Sequence, residues 1–457
     1  MSCAVKSNRI AEKDIIFKTG NSVGKIYIKE EKGRYQQRRR WLNVVLFILF
    51  LGFPMLQYQG EQAILFDVSG QTLRLFSLTL FPQDLLVFAL LFIFAAFVLF
   101  FVTTYYGRVW CGFTCPQTVW TLLFNWVERR IEGTHHQSRA LDKGAWTFAK
   151  LLKKLAKHTI WVAIALGTAT SFMAYFVPVK ELYQQLFSLN LSAVISGWVI
   201  VLALCTYLNA GWLREKMCQH MCPYARFQSA MFGATTRLVT YNTERGEQRG
   251  PRKRNSNPEG LGDCVDCQLC VQVCPVGIDI RDGLQYECIN CGLCVDACDP
   301  VMERFGYAKG LIRFQSSSGE KPAKVVRWGY GLMAAVTIIA SLWWALSWQN
   351  FEVNIIRDRQ ALSRINALGQ VENTYTIKLL NKATYAQVFE LELVDGDGLQ
   401  MLGAQPFTVP AGALHHQVVT VVAVTKPEQR MSDLRLRIFA HESEQTETKT
   451  TLFYSNL

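Results

Sequence analysis

The chain has 457 residues, half of them hydrophobic, only 18% charged, and a net charge of +12. Soluble proteins carry about a quarter charged residues, so the composition argues against both disorder and an ordinary cytosolic enzyme. Its 14 cysteines are too sparse, in too long a chain, for a small disulfide scaffold.

Residues 1–40 form a basic N-terminal segment with 11 Lys/Arg and no apolar run of signal-peptide type. Five apolar stretches follow, at 41–58, 85–106, 159–179, 192–212 and 328–348. Each approaches the roughly 20 residues that cross a bilayer, and each is apolar on every face, unlike a core helix. The second has 22 residues without a charge, whereas the first is short and contains Pro54. Positive charge sets the expected orientation. The loops after the first and third stretches hold one Lys/Arg each, Arg74 and Lys180, against nine in 107–158 and fifteen in 213–325. The N-terminus and both long loops are therefore expected in the cytoplasm, and the tail 349–457 on the outer side. Anionic lipid headgroups suffice to explain the basic pI, and no nucleic-acid partner is expected.

The expected organisation is a multi-domain membrane protein. An α-helical membrane domain (41–223, four spans) precedes a cytoplasmic loop (224–324) holding an α+β two-cluster bacterial-ferredoxin-like domain at about 255–305. A fifth span (325–348) leads to an all-β immunoglobulin-like sandwich, 349–457.

Two Cys-x3-Cys-Pro pairs stand where spans two and four meet the cytoplasm: Cys111/Cys115-Pro116 and Cys218/Cys222-Pro223. If helical, an i, i+4 spacing puts both sulfurs of a pair on one face. Proline after each pair suits a helix start, whose positive end would favour thiolate. With Met217, His220 and Met221 interleaved, the thiol, thioether and imidazole set suits Cu(I). Spacing leaves copper binding, cluster binding and thiol exchange all open. Cys205, inside the fourth stretch, reads as packing, and Cys3 as a spare. The seven histidines avoid the span centres, so no membrane haem is expected.

Cys264-x2-Cys267-x2-Cys270-x3-Cys274-Pro is followed, after 13 residues, by Cys288-x2-Cys291-x2-Cys294-x3-Cys298. This is the two-cluster ferredoxin spacing, in which the fourth cysteine of each run serves the other cluster. Cys264, Cys267, Cys270 and Cys298 are expected on one [4Fe–4S] cluster, and Cys288, Cys291, Cys294 and Cys274 on the second. Zinc has no use for the third and fourth cysteines, and a reducing cytosol disfavours disulfides. From about 350 the pattern turns to period two, as in Tyr375/Ile377/Leu379, Phe389/Leu391/Leu393 and Leu434/Leu436/Ile438, with a turn at 395–398. About seven short strands point to the sandwich. His415-His416 reads as a solvated pair beside a strand.

Taken with Tyr224-Ala-Arg-Phe-Gln, Tyr241-Asn-Thr-Glu-Arg-Gly, Gly277-Ile-Asp-Ile-Arg-Asp-Gly and Gly310-Leu-Ile-Arg-Phe, these motifs resemble the cytochrome c oxidase accessory proteins of the CcoG/FixG/RdxA type. The resemblance implies a bacterial inner-membrane protein that reduces Cu(II) to Cu(I) for maturation of the cbb-type oxidase. Its implied partners are a copper exporter or chaperone and the oxidase assembly machinery. On this reading the Cys111, Cys115, Cys218 and Cys222 set is catalytic and holds copper. Two alternatives compete: a quinol-linked electron-transfer subunit, since nitrate reductase accessory proteins carry similar pairs, and a redox scaffold without turnover. The electron donor is not named by any motif.

Overall fold

The protein's structure, a computed structural model, describes residues 25–455 apart from 77, 230, 254–259, 317–323, 359–362, 395–397 and 426–428. Helices run over Arg34–Gly52 (α1), Leu85–Tyr106 (α2), Val109–Phe113 (α3), Pro116–Glu132 (α4), His135–Lys143 (α5), Phe148–Met173 (α6), Val179–Phe187 (α7) and Ala193–Tyr207 (α8). After two π-helical turns come Pro223–Ser229 (α9), Thr243–Gly246 (α10), Leu269–Gln272 (α11), Leu293–Phe305 (α12) and Lys324–Leu346 (α13). The chain divides into two compact units, Met1–Leu56 with Leu90–Ile338, and Gln57–Ala89 with Ile339–Leu457.

Among the described residues, three helices are long and apolar enough to cross a membrane: Leu86–Tyr106, Ala193–Leu213 and Trp328–Leu346. They match the second, fourth and fifth expected spans. The other two stretches are helical with shifted ends. α1 begins at Arg34 and stops at Gly52, because Pro54 enters a 3-10 turn at Phe53–Met55. α6 starts well before 159, where the Thr147 side chain accepts from the Lys150 amide and caps it. Hydropathy marks where an apolar surface begins; capping marks where the helix begins.

In the first unit, α4 packs against α6 through Phe124 stacked on Trp161, ring centroids 5.3 Å apart. Strands Leu238–Tyr241 and Ile312–Gln315 pair antiparallel and close the cysteine-rich segment over a core including Val239, Ile280, Met302, Leu311 and Ile312.

The second unit is a sandwich. One antiparallel sheet orders Leu399–Leu402, Leu414–Ala423, Val371–Asn381 and Phe351–Arg357, with Arg364–Ile365 beside the third. The other orders Phe407–Val409, Gln387–Leu393, Met431–Ala440 and Gln445–Tyr454. The period-two residues Ile377, Leu379, Phe389, Leu434, Leu436 and Ile438 are all fully buried in its core, as alternation requires. The turn expected at 395–398 falls mostly outside the described residues. His415 and His416 lie within a strand rather than in a flanking loop. The ladder extends that far because they pair with Leu379 and Lys378, and His415 stacks on Phe407 at 4.8 Å. The loop after the first expected span, which carries Arg74, holds a small antiparallel sheet of Ile64–Asp67, Thr72–Leu75 and Leu78–Leu80. Its turn is set by the Asp67 carboxylate, which accepts from the Ser69 hydroxyl and the Gly70 amide. The buried pair Lys382–Asp84, at 2.8 Å, ties this segment to the sandwich.

Candidate functional site

The two cysteine runs fold into loops of the same shape. Asp266 and Gln268 in the first, and Asn290 and Gly292 in the second, all take positive φ at matching positions. Each loop therefore curls around its own interior. At Gly292 a side chain is also sterically excluded, since a Cβ would stand 2.7 Å from the Tyr35 ring.

Each loop walls one cavity of about 350 Å³. Cys264, Cys267, Cys270 and Cys298 line the first, with Leu269 and Met302. Cys274, Cys288, Cys291 and Cys294 line the second, with Ile278 and Ile280, and Cys270 reaches its edge. The fourth cysteine of each run thus stands with the other run's first three. Burial pushes the Cys270, Cys274 and Cys298 thiols up to about 12. Cys288 rises to about 11, also through burial. Among the described residues no three His, Cys, Asp or Glu side chains close on a single ion-sized point. The thiols instead surround space, and burial disfavours bare thiolates there even with Arg281 on the first cavity's wall and Arg108 acting on Cys288. A multi-iron core with cationic metal fits both the volume and the charge.

The four membrane-edge cysteines also come together. Cys111 lies in α3, and Cys115 caps α4, which starts at Pro116. Cys218 lies in a π-helical turn, Met217–Met221, and Cys222 follows it, immediately before α9 starts at Pro223. The helix starts at both prolines match expectation. The shared helical face does not, because each pair straddles a junction between two elements. Convergence is tertiary: Cys111 senses charge on Cys115, Cys218 and Cys222. Gln117 secures it by donating to the Asn209 carbonyl at 2.9 Å and the Arg214 carbonyl at 3.2 Å. Gln228 of α9 accepts from the Cys111 thiol at 3.3 Å and donates to Thr103 at 3.0 Å.

The expectation of thiolate at these helix ends is corrected. Burial pushes Cys111 and Cys218 up to about 12. Cys115 is also raised by burial, although the Gln117 and Thr118 amides at the start of α4 pull it down. Burial outweighs the helix end, so thiolate here would require a cation beside it. Of the interleaved side chains, Met217 is half-buried while His220 and Met221 are exposed. Cys205 is exposed on α8 rather than packed within the protein.

Quartet and second cavity are contiguous. Cys111 packs in the cluster that contains Ile289, Cys291 and Leu293. A Cβ at Gly112 would stand 2.6 Å from the Ile289 carbonyl and 3.1 Å from the Cys291 Cα, so only glycine permits this approach. Asn290 donates to the Tyr106 carbonyl at 3.0 Å, and Gln219 to the Val276 carbonyl at 3.1 Å. Arg108, 2% exposed, donates to Tyr286 O at 2.7 Å and to Ala225 O. Sequence reading missed Arg108, Gln117, Gln228 and Asn290. Their only signal is being polar next to a cysteine motif.

A buried charge network holds α4 to α6 and to Arg214, which ends the π-helical turn Leu208–Leu213. Glu128 pairs with Arg214 at 2.7 Å and with Lys25, and Glu132 with Lys154 and Lys157 at 2.7 Å each.

Comparison with known proteins places these features. The profile of a 4Fe-4S dicluster domain matches residues 213–317, and that of a 4Fe-4S binding domain matches 86–134, which includes Cys111 and Cys115. The profile of the IG-like fold at the C-terminus of FixG matches 341–456. The chain is 35% identical over 402 residues to the nitrogen fixation protein FixG of Rhizobium meliloti, covering 78% of this chain and 76% of that one. It is 35% identical over 443 residues to protein RdxA of Cereibacter sphaeroides (90% and 93% covered), and 33% identical over 439 residues to RdxB of the same organism (90% and 92% covered). The three apolar helices point, with these relatives, to a membrane protein. With its two cysteine-walled cavities and its FixG-type sandwich, the chain belongs to the FixG/RdxA family and is an iron–sulfur electron-transfer protein of that family.

Proposed function

We propose that this protein reduces Cu(II) to Cu(I) at the cytoplasmic face of a bacterial inner membrane, in service of cbb-type cytochrome oxidase maturation. The observation that carries the reading is the seating of Gly112, between Cys111 and Cys115, on the backbone of Cys291. A soft-ligand site and an electron carrier's wall are thereby in direct contact. Cys264, Cys267, Cys270 and Cys298 hold one cluster, and Cys274, Cys288, Cys291 and Cys294 the other. When bound, the clusters supply electrons one at a time, matching the single electron that converts Cu(II) to Cu(I).

The chain's own part is to bind, desolvate and select. Cys111, Cys115, Cys218 and Cys222 lose protons as copper enters, and soft thiolate ligands favour Cu(I) over Cu(II). Met217 completes the donor set from its half-buried place, with His220 and Met221 at the exposed mouth where copper arrives. α1 and α6 serve as the remaining two spans, which leaves the basic loops cytoplasmic and the sandwich periplasmic. Cu(I) then passes to a copper exporter or chaperone that feeds the oxidase.

The deciding experiment mixes dithionite-reduced, cluster-loaded protein anaerobically with Cu(II) and traps Cu(I) with a chelator. Stoichiometric cluster oxidation and Cu(I) formation are expected, and both should disappear on changing Cys111, Cys115, Cys218 and Cys222 together to serine. Unchanged copper reduction in that variant would reject the reading.

A further inference from the structure

A second cavity system adjoins this site. An open cavity, about 1080 Å³ with its solvent-filled mouth included, lies between the segment 25–31, α1, α4 and the loop after Cys274. Its wall includes Cys218 of the quartet, and Val276, Ile289 and Leu293, which pack around Cys291. Whatever occupies this space touches the same residues that enclose the second cluster's thiols.

Four side chains on this wall carry polar atoms with no partner among the described residues: Gln36 Oε1, Arg39 Nε and Nη1, Thr121 Oγ1 and His135 Nε2. Arg39 is 2% exposed and Gln36 5%. Native interiors seldom leave buried donors and acceptors unmatched, and several around one cavity mark the polar contacts of a ligand. Other cationic groups on the wall are already engaged. Lys25 pairs with Glu128 and Asp142, Lys29 with Glu31, Arg129 with Glu30 and Arg214 with Glu128. The wall therefore lacks the clustered free cations that a phosphate-bearing nucleotide needs. The unmatched set suits an uncharged ring with oxygen atoms able to donate and accept. The level of the cavity on α1 is also informative. Arg39 is the last buried arginine before an outward-facing apolar run of Trp41, Val44 and Ile48, all exposed. Such a surface suits contact with lipid, and it begins within one helical turn of Arg39.

We propose that this cavity binds the headgroup of a quinol, which supplies the protein's electrons. Arg39 and Thr121 donate to one ring oxygen, and Gln36 accepts from the hydroxyl of the other. Oxidation of a quinol to the quinone releases two electrons and two protons. The electrons leave singly to the iron–sulfur clusters, one proton passes to His135 Nε2 and the other to water. The inference rests on the iron–sulfur assignment and is independent of what the quartet reduces.

The test uses the detergent-solubilised full chain with clusters loaded. Equilibrium dialysis with menadione, a tailless quinone, should show saturable binding that Gln36→Leu and Thr121→Val each weaken by about tenfold, the effect of one lost buried hydrogen bond. Cys205→Ser should bind as the parent does. Anaerobic menadiol should bleach the clusters of the parent, and do so about tenfold more slowly in Thr121→Val, with the iron content of both equal. Absence of saturable menadione binding would overturn the proposal, as would binding and bleaching unchanged in both variants. Bleaching by reduced flavin but not by menadiol would overturn it too. If Gln36→Leu does not fold, Thr121→Val alone decides. Copper reduction by dithionite-reduced protein is measured separately, so failure of either reading is visible without the other.

Discussion

Gly112 lies against the backbone of Cys291, so the membrane-edge thiols and the second cysteine loop share one surface. Gly112→Ala forces these two backbones apart, because its Cβ would meet the Ile289 carbonyl at 2.6 Å. Overpacking of this kind costs about 1–3 kcal/mol. The expected result is full cluster content with copper reduction slowed by about 10- to 100-fold, the scale set by ångström misplacement of reacting groups. Iron analysis and stopped-flow oxidation by Cu(II) check it; equal rates would show that the contact is not on the electron path.

Gln117 joins the two Cys-x3-Cys-Pro motifs through a pair of carbonyl acceptors. Gln117→Leu removes both bonds, leaving the Asn209 carbonyl with the Arg214 amide and the Arg214 carbonyl with the Met217 amide, at a cost of about 0.5–1.5 kcal/mol for each bond lost. Cu(I) affinity, measured by chelator competition, should fall at least about tenfold, while the cluster spectrum is unchanged. Retained affinity would mean that the quartet assembles without this brace.

Crossed ligation makes a paired prediction. Cys298 lines the cavity of the first run and Cys274 that of the second. Cys298→Ser should therefore disturb the cluster held by Cys264, Cys267 and Cys270, and Cys274→Ser the other, each variant losing up to about four irons of eight. Electron paramagnetic resonance of the two variants should show complementary remaining signals. The same signal lost in both would contradict the crossing.

The Glu128 carboxyl gives a pH prediction. Burial alone would raise its pKa, but Arg214, then Lys25 and Lys157, outweigh burial and hold it well below the ordinary carboxylate range. The unfolded chain, with a Glu pKa of about 4.3, then binds more protons than the folded one as pH falls. Stability from this group is thus complete above that value and lost progressively below it. Thermal midpoints recorded from neutral to acid pH should decline for the parent. Glu128→Gln should start lower, by about 3–5 kcal/mol for a broken buried pair, and decline less. Parallel curves would assign the acid sensitivity elsewhere, for example to Asp142, which its lysine and tyrosine partners also hold low.

Much of this architecture is legible in the linear sequence, for reasons of locality. Eight cysteines at ferredoxin spacing need only a tight loop to line a cavity, and period-two alternation buries one strand face whatever the partner strand. An unbroken apolar run such as 85–106 is equally self-sufficient. Helix ends were less legible, because the cap at Thr147 and the break at Pro54 act independently of hydropathy. Tertiary structure alone decided that the four membrane-edge thiols form one group and that Cys111 among them packs against the second cysteine loop. Those facts depend on contacts such as Asn290 to Tyr106, 184 residues apart, and Gln117 to Asn209, 92 apart. Bonds of that reach leave no periodicity or spacing in the chain, since each is a single polar side chain whose partner is a backbone carbonyl. Burial decided the thiols' protonation in the same way: a helix start can be read from proline, but the walls that overrule it exist only once the chain has folded.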